Sequence, residues 1–375
     1  MDIHTYVNKH NLLHEPRYVK YEEEFHAFED FMHEKYGINF IEIYSTKMFM
    51  KRVKLKDGSY FVIDCHFWNL FEHYLTAYYF CVGRFPFGCD MNYVRYMISN
   101  LILLTQASLQ DDIPALALSF AQEYEYAGAS FRKYDTLVAA ESDVGIINEV
   151  IIFAFMAAIL HETGHERFHK LSADACGYTG FMTFLREATS FEPEDGKMRE
   201  ILNRTKAVMD SGDLVSCEEM YCDFFSALEM IDIVEKALGN LKSSRDRARL
   251  MLEVLILPLM FQAELVQNQL HWRHLYYCRK EMERDGHKTW MQIERYYNQL
   301  TSRGSFLSFL YHYLICQKCG IDSESVKIKS TAEFENISLS LLRSGIRILN
   351  RACENEEKYS GFEAQRLRNQ ILNWR

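Results

Sequence analysis

The sequence predicts an α+β protein that is mostly helical, with one small sheet near its N-terminal end. Strand-like composition is confined to residues 38–66, where Asp57-Gly58 separates two apolar runs. After that, segment follows segment with helical spacing and almost no strand signal. Only 5 Pro and 17 Gly interrupt 375 residues, so turns are few and helices long.

Residues 1–36 are polar and charged, with helical spacing from Tyr18 to Tyr36. Ile38, Phe40, Ile41, Ile43 and Tyr44 predict a first strand. Met48 to Leu55 and Tyr60 to His66 predict two more, joined as a hairpin at Lys56-Asp57-Gly58-Ser59. Trp68 to Cys81, Met91 to Gln106, Ile113 to Tyr126 and Asn148 to Lys170 read as helices, with Phe85 to Asp90 separating the first two. Residues 190–215 form a polar connection carrying a helix at Lys197 to Met209. Ser216 to Leu228 is a further amphipathic helix. From about 241 the chain is helical to its end, with an apolar, buried stretch at Leu250 to Gln269. Ser330 and Glu333 predict the cap of a helix running through Arg351. Its Arg343, Arg347 and Arg351 form a stripe, read as a solvated face or as a docking surface for an acidic partner. The expected division is 1–240, holding the sheet and the chemistry-bearing helices, and 241–375, a helical C-terminal region.

Hydrophobic content of 48% and aromatic content of 14% exclude a disordered chain. A net charge of −10 gives no basic footprint, so no nucleic-acid partner is expected. The first residues lack an apolar secretory core, and no apolar run reaches the 18 or so residues of a transmembrane helix. The ten cysteines are scattered, which with the missing signal predicts reduced thiols in a cytoplasmic protein. Cys316-x-x-Cys319, with His312 one turn before, lacks the second pair of a zinc ribbon; it reads as buried structural cysteines, with a metal or redox site as the alternative.

The chemistry lies in His161-Glu162-Thr163-Gly164-His165, an H-E-x-x-H pattern. Ile146 to Leu160 is apolar and free of Pro and Gly, so a buried helix runs directly into it. Residues four apart share a helix face, so His161 and His165 can offer two imidazole nitrogens to one Zn²⁺. Glu162 adjoins the first ligand, where it can act as catalytic base towards a water on the metal. Zinc lowers the pKa of such a water from about 15.7 to about 7.

Two histidines leave a tetrahedral site short of a protein ligand. His169 continues the same stripe and is expected to flank the site. Asp174 has no ligand-bearing turn around it. Phe168 and Leu171 exclude the extended H-E-x-x-H-x-x-G-x-x-H class. The best candidate is Glu219 on the helix Ser216 to Leu228, completing the site from across the core. Asp223, one turn on, would accept the free N–H of a ligand histidine and orient it. Ser216-x-x-Glu219 is also a capping-box signature, which would make Glu219 a helix-start residue. Glu218 is an alternative ligand; otherwise its replacement is expected to do little.

HETGH followed by E-x-x-C-D-x-x-S-A resembles the gluzincin metallopeptidases, with Cys222 where that family often has Ala. Within that group the chain is most similar to the phage-exclusion Lit peptidase family and secondarily to the ImmA/IrrE type. The likeness spans roughly residues 38–235 and includes the hairpin Val53 to Asp64. It implies a minimal zincin core, a small sheet with hairpin beside the active-site helix, with helices added at the C-terminus. It implies a zinc-dependent endopeptidase that cleaves a specific intracellular protein, such as a translation factor, in phage defence by growth arrest. A phage-derived or other protein activator would trigger it. Zincins hold substrate as an extended segment along a sheet edge, and a second donor to the oxyanion is expected, a His or a Tyr; Tyr178 lies between the metal helices in sequence, but the sequence does not prefer it to the other tyrosines. The alternatives are a regulatory metallopeptidase acting on a repressor, and a helical interaction protein with a structural metal site.

Overall fold

The computed structural model describes residues 1–10, 22–43, 50–64, 141–173, 196–211, 214–240 and 242–266, together with 71, 72, 74, 75, 181–183, 186, 303, 304, 306, 307, 310, 314 and 320. The helices expected at Met91 to Gln106, Ile113 to Tyr126 and Ser330 to Arg351 lie outside these residues. So do Asp174, Tyr178 and the Cys316-x-x-Cys319 pair.

Helix α1 (Ile3–His10) is capped by Asp2, whose Oδ1 accepts the Thr5 N–H at 2.8 Å. Helix α2 (Glu22–Tyr36) ends at Gly37, whose N–H bonds the His33 carbonyl at 2.8 Å with φ of 64°. That left-handed cap suits Gly and turns the chain straight into β1 (Ile38–Ile43). β2 (Met50–Leu55) and β3 (Gly58–Asp64) follow as the expected hairpin, with Leu55 opposite Gly58 across the turn. The sheet order is β1-β3-β2, with β1 parallel and β2 antiparallel to β3. Among the described residues β2 is therefore an edge strand.

Alternation along the strands gives the sheet two apolar faces. Ile43 and Val62, with Ile41, Val53 and Leu55 beside them, pack against Tyr6 of α1. Ile38, Phe61 and Ile63 join the main core instead. That core centres on α3 (Glu141–Ala173), which carries the apolar run, buried from Val150 to Ala157 and again at Ile159 and Leu160. A helix apolar on all sides needs neighbours on all sides. α3 has α5 (Leu214–Leu238), α6 (Ser244–Val266) and the sheet. α4 (Gly196–Ser211) lies between α3 and α5 in the chain and packs on α5.

The result is a mostly helical molecule with a small mixed three-stranded sheet, an α+β arrangement. One apolar core crosses position 240: Met251, Val254 and Phe261 of α6 belong to it with Phe155 and Met230. No helix among the described residues is long and apolar enough to cross a membrane.

Candidate metal centre

Two helices build the site because a glycine lets them approach. A Cβ on Gly164 would meet Cys222 Cα at 2.9 Å and its Sγ at 3.1 Å, so α3 and α5 touch almost backbone to backbone. Nearly two turns earlier on α3, Ser226 Oγ donates to the Ala157 carbonyl at 2.7 Å, a second tie between the same helices. Across this seam His161 and His165 face Glu218, Glu219, Cys222 and Asp223.

His161 Nε2 lies 3.4 Å from Glu219 Oε2, and His165 Nε2 lies 3.9 Å from Glu219 Oε1. Behind them stand two further carboxylates. Asp223 Oδ1 is 2.9 Å from His161 Nδ1, a short contact whose N–H is poorly aligned. Glu218 Oε1 is 2.8 Å from His165 Nδ1 and 3.1 Å from Nε2 of the exposed His169. Glu218 thus faces the far side of the His165 ring from Glu219, and His169 flanks the site. α5 begins at Leu214, so Ser216 is already inside its first turn while the Glu219 carboxylate points across to α3.

Arg303 is the site residue that sequence reasoning missed. Its Nε and Nη2 donate to Asp223 Oδ2 and Oδ1 at 3.0 and 2.9 Å. Its Nη1 is 3.0 Å from Glu219 Oε2, and its Nη2 is 3.5 Å from His161 Nε2. Only 8% of Arg303 is exposed. Phe306, Leu307 and Leu310, at i+3, i+4 and i+7, are buried in the main core and anchor it. That apolar stripe with an arginine on it was the available sequence signal.

The charges are tuned by burial and by one another. Burial and Arg303 push His161 down, but Asp223 and Glu219 outweigh them and hold it up at about 9. Burial would raise Glu219 and Asp223, yet Arg303 and His161 hold both carboxyls below the usual range. Burial pushes Glu162 up, against the opposing pull of the two histidines. The Cys222 thiol is also pushed up, by burial and by Glu219 and Asp223.

His161, His165 and Cys222 place one possible ligand atom each within 4.8 Å of one another, a group that could hold a metal ion. Cys222 as a possible ligand was not foreseen from the sequence. The described chain is thus a mostly helical α+β protein whose two central helices assemble a candidate metal centre. No protein-family model matches the chain, and no curated protein or solved structure does so either.

Proposed function

We propose that the chain is a zinc-dependent endopeptidase with a minimal zincin core, in which His161, His165 and Glu219 hold the ion. The observation that carries this reading is the convergence of Glu219 on both histidines. Donors bound to one tetrahedral ion at about 2.0–2.2 Å stand roughly 3.3–3.6 Å apart. The 3.4 Å separation of His161 Nε2 and Glu219 Oε2 meets that, and His165 Nε2 stands 3.9 Å from the other oxygen, Oε1, so the carboxylate would turn to present one oxygen to an ion shared by both rings. Glu219 is favoured over Cys222 because its carboxylate stands 3.4 Å from His161 Nε2, a span that one ion bridges, and is held below the usual carboxyl range.

Bound zinc would polarise a scissile carbonyl and supply a water ionising near neutral pH, with a pKa of about 7. Glu162 accepts the proton of the attacking water and passes it to the leaving amine. Its raised pKa suits a group that must hold that proton between the two steps. Glu218 keeps the His165 imidazole turned towards the ion, and Asp223 stands 2.9 Å behind His161 Nδ1, where a small rotation would let it accept that N–H. β2, an edge strand among the described residues, offers an extended substrate a pairing edge, and Arg52 on that strand pairs with Glu166, the neighbour of His165, while binding Ser59 Oγ of β3 at 3.0 Å. The substrate is a protein or peptide. The Lit-like motifs favour one specific cellular protein, growth arrest in phage defence, a protein trigger and a cytoplasmic location.

A second reading takes its support from Cys222. A His161–His165–Cys222 set would make the metal a structural staple between α3 and α5. Glu162→Gln separates the two. On the peptidase reading it retains zinc, and new protein N-termini appear in cells expressing the parent but not this variant. Identical N-termini with both would overturn the peptidase reading.

A further inference from the structure

Arg303 is the buried group that this catalytic scheme leaves unused. It reaches the site from beyond the core helices and touches two of the atoms assigned to zinc. Nη1 is 3.0 Å from Glu219 Oε2, and Nη2 is 3.5 Å from His161 Nε2. A cation bonded to Glu219 Oε2 at about 2.0–2.2 Å would stand no more than about 5 Å from that guanidinium nitrogen. Two like charges would then face each other in a site where little water screens them. An arginine that only braced the helix would bind Asp223 alone. This one binds both Asp223 oxygens and also reaches the oxygen and nitrogen on the ion's side. Arginine cannot relieve the conflict by losing its proton.

We propose that Arg303 is a built-in counter-cation that competes with the metal for Glu219 and so lowers the affinity of the site. The inference rests on the zinc assignment above. Arg303 neutralises Glu219 and Asp223 when the ion has left, since unpaired buried carboxylates are strongly unfavourable. The price is a weaker hold on zinc, so the chain loads and releases its metal without unfolding.

The test uses the full chain with Arg303→Met, Arg303→Gln and Arg303→Lys. Zn²⁺ affinity is read by competition with a chromophoric chelator, Co²⁺ coordination by its absorption spectrum, and Tm on chelator-treated protein. Arg303→Met should bind Zn²⁺ about tenfold tighter or more, the scale on which groups behind metal ligands act. Its chelator-treated Tm should fall, and added Zn²⁺ should raise Tm further than in the parent. Arg303→Gln should shift affinity the same way, which covers the case that Arg303→Met does not fold without metal. Arg303→Lys keeps the charge and should stay nearer the parent. Equal or weaker zinc binding in the neutral variants, with an unchanged Co²⁺ spectrum, overturns the proposal and leaves the zinc site standing. If neither the parent nor any variant binds zinc, both fail.

Discussion

Gly164→Ala probes the close approach on which the whole site depends. Alanine is the better helix former by about 0.8–1 kcal/mol, so on an open helix face the change would stabilise. Here the added Cβ meets Cys222 Cα at 2.9 Å, its Cβ at 3.1 Å and its Sγ at 3.1 Å. Overpacking of this kind costs about 1–3 kcal/mol, and the upper part of that range applies because a backbone atom must move. The expected net effect is a loss of about 1–2 kcal/mol in urea unfolding. Wider spacing of α3 and α5 also draws Glu219 away from His161 and His165, so zinc affinity should fall in the same variant. Adding Cys222→Ala relieves the clash with Sγ but leaves the clash with the α5 backbone, so it should restore stability only in part. A Gly164→Ala protein as stable as the parent, or more so, would refute the close approach and the site geometry built on it.

Glu219→Gln should weaken zinc binding far more than Asp223→Asn, whose loss should be graded at about 10–100-fold, both read by chelator competition. Intact zinc in Glu219→Gln would return the ligand role to Cys222. Glu218→Ala should also lower zinc affinity measurably, because Glu218 Oε1 holds His165 Nδ1 at 2.8 Å; an unchanged affinity would restore the sequence expectation that Glu218 is silent. In chelator-treated protein, Glu219 and Asp223 have lowered pKa values, so their stabilisation is present above their ordinary 4.5 and 3.8 and is lost as pH falls through the folded values. His161 is raised, so its stabilisation is full below 6.5 and is lost as pH rises through about 9. Tm should therefore decline on both limbs, and a flat Tm from pH 6.5 to 9 would remove the His161–Asp223–Glu219 coupling.

His161, Glu162 and His165 were legible because helical spacing alone puts both histidines on one face, and the apolar lead-in marked the helix. The hairpin was legible from Asp57-Gly58. The parallel pairing of β1 with β3 was not, since alternation shows that a strand has a buried face but not which neighbour it takes. The contact of Glu218 with His165 Nδ1 was not legible, because neighbouring residues on α5 each reach a different side of the His165 ring across the seam, which sequence spacing does not report. Gly164 is part of the motif in sequence, and only the packing shows that it admits Cys222. Arg303 lies 80 residues from Asp223 in sequence, a separation at which no local pattern reports proximity.

X-ray absorption at the zinc edge of the purified full chain reads the ligand set itself. A His161–His165–Glu219 centre gives about one zinc per chain, a shell of nitrogen and oxygen at about 2.0–2.2 Å with imidazole scattering, and no sulfur. A sulfur shell at about 2.3 Å would instead place Cys222 on the metal, and the absence of zinc would remove the site altogether.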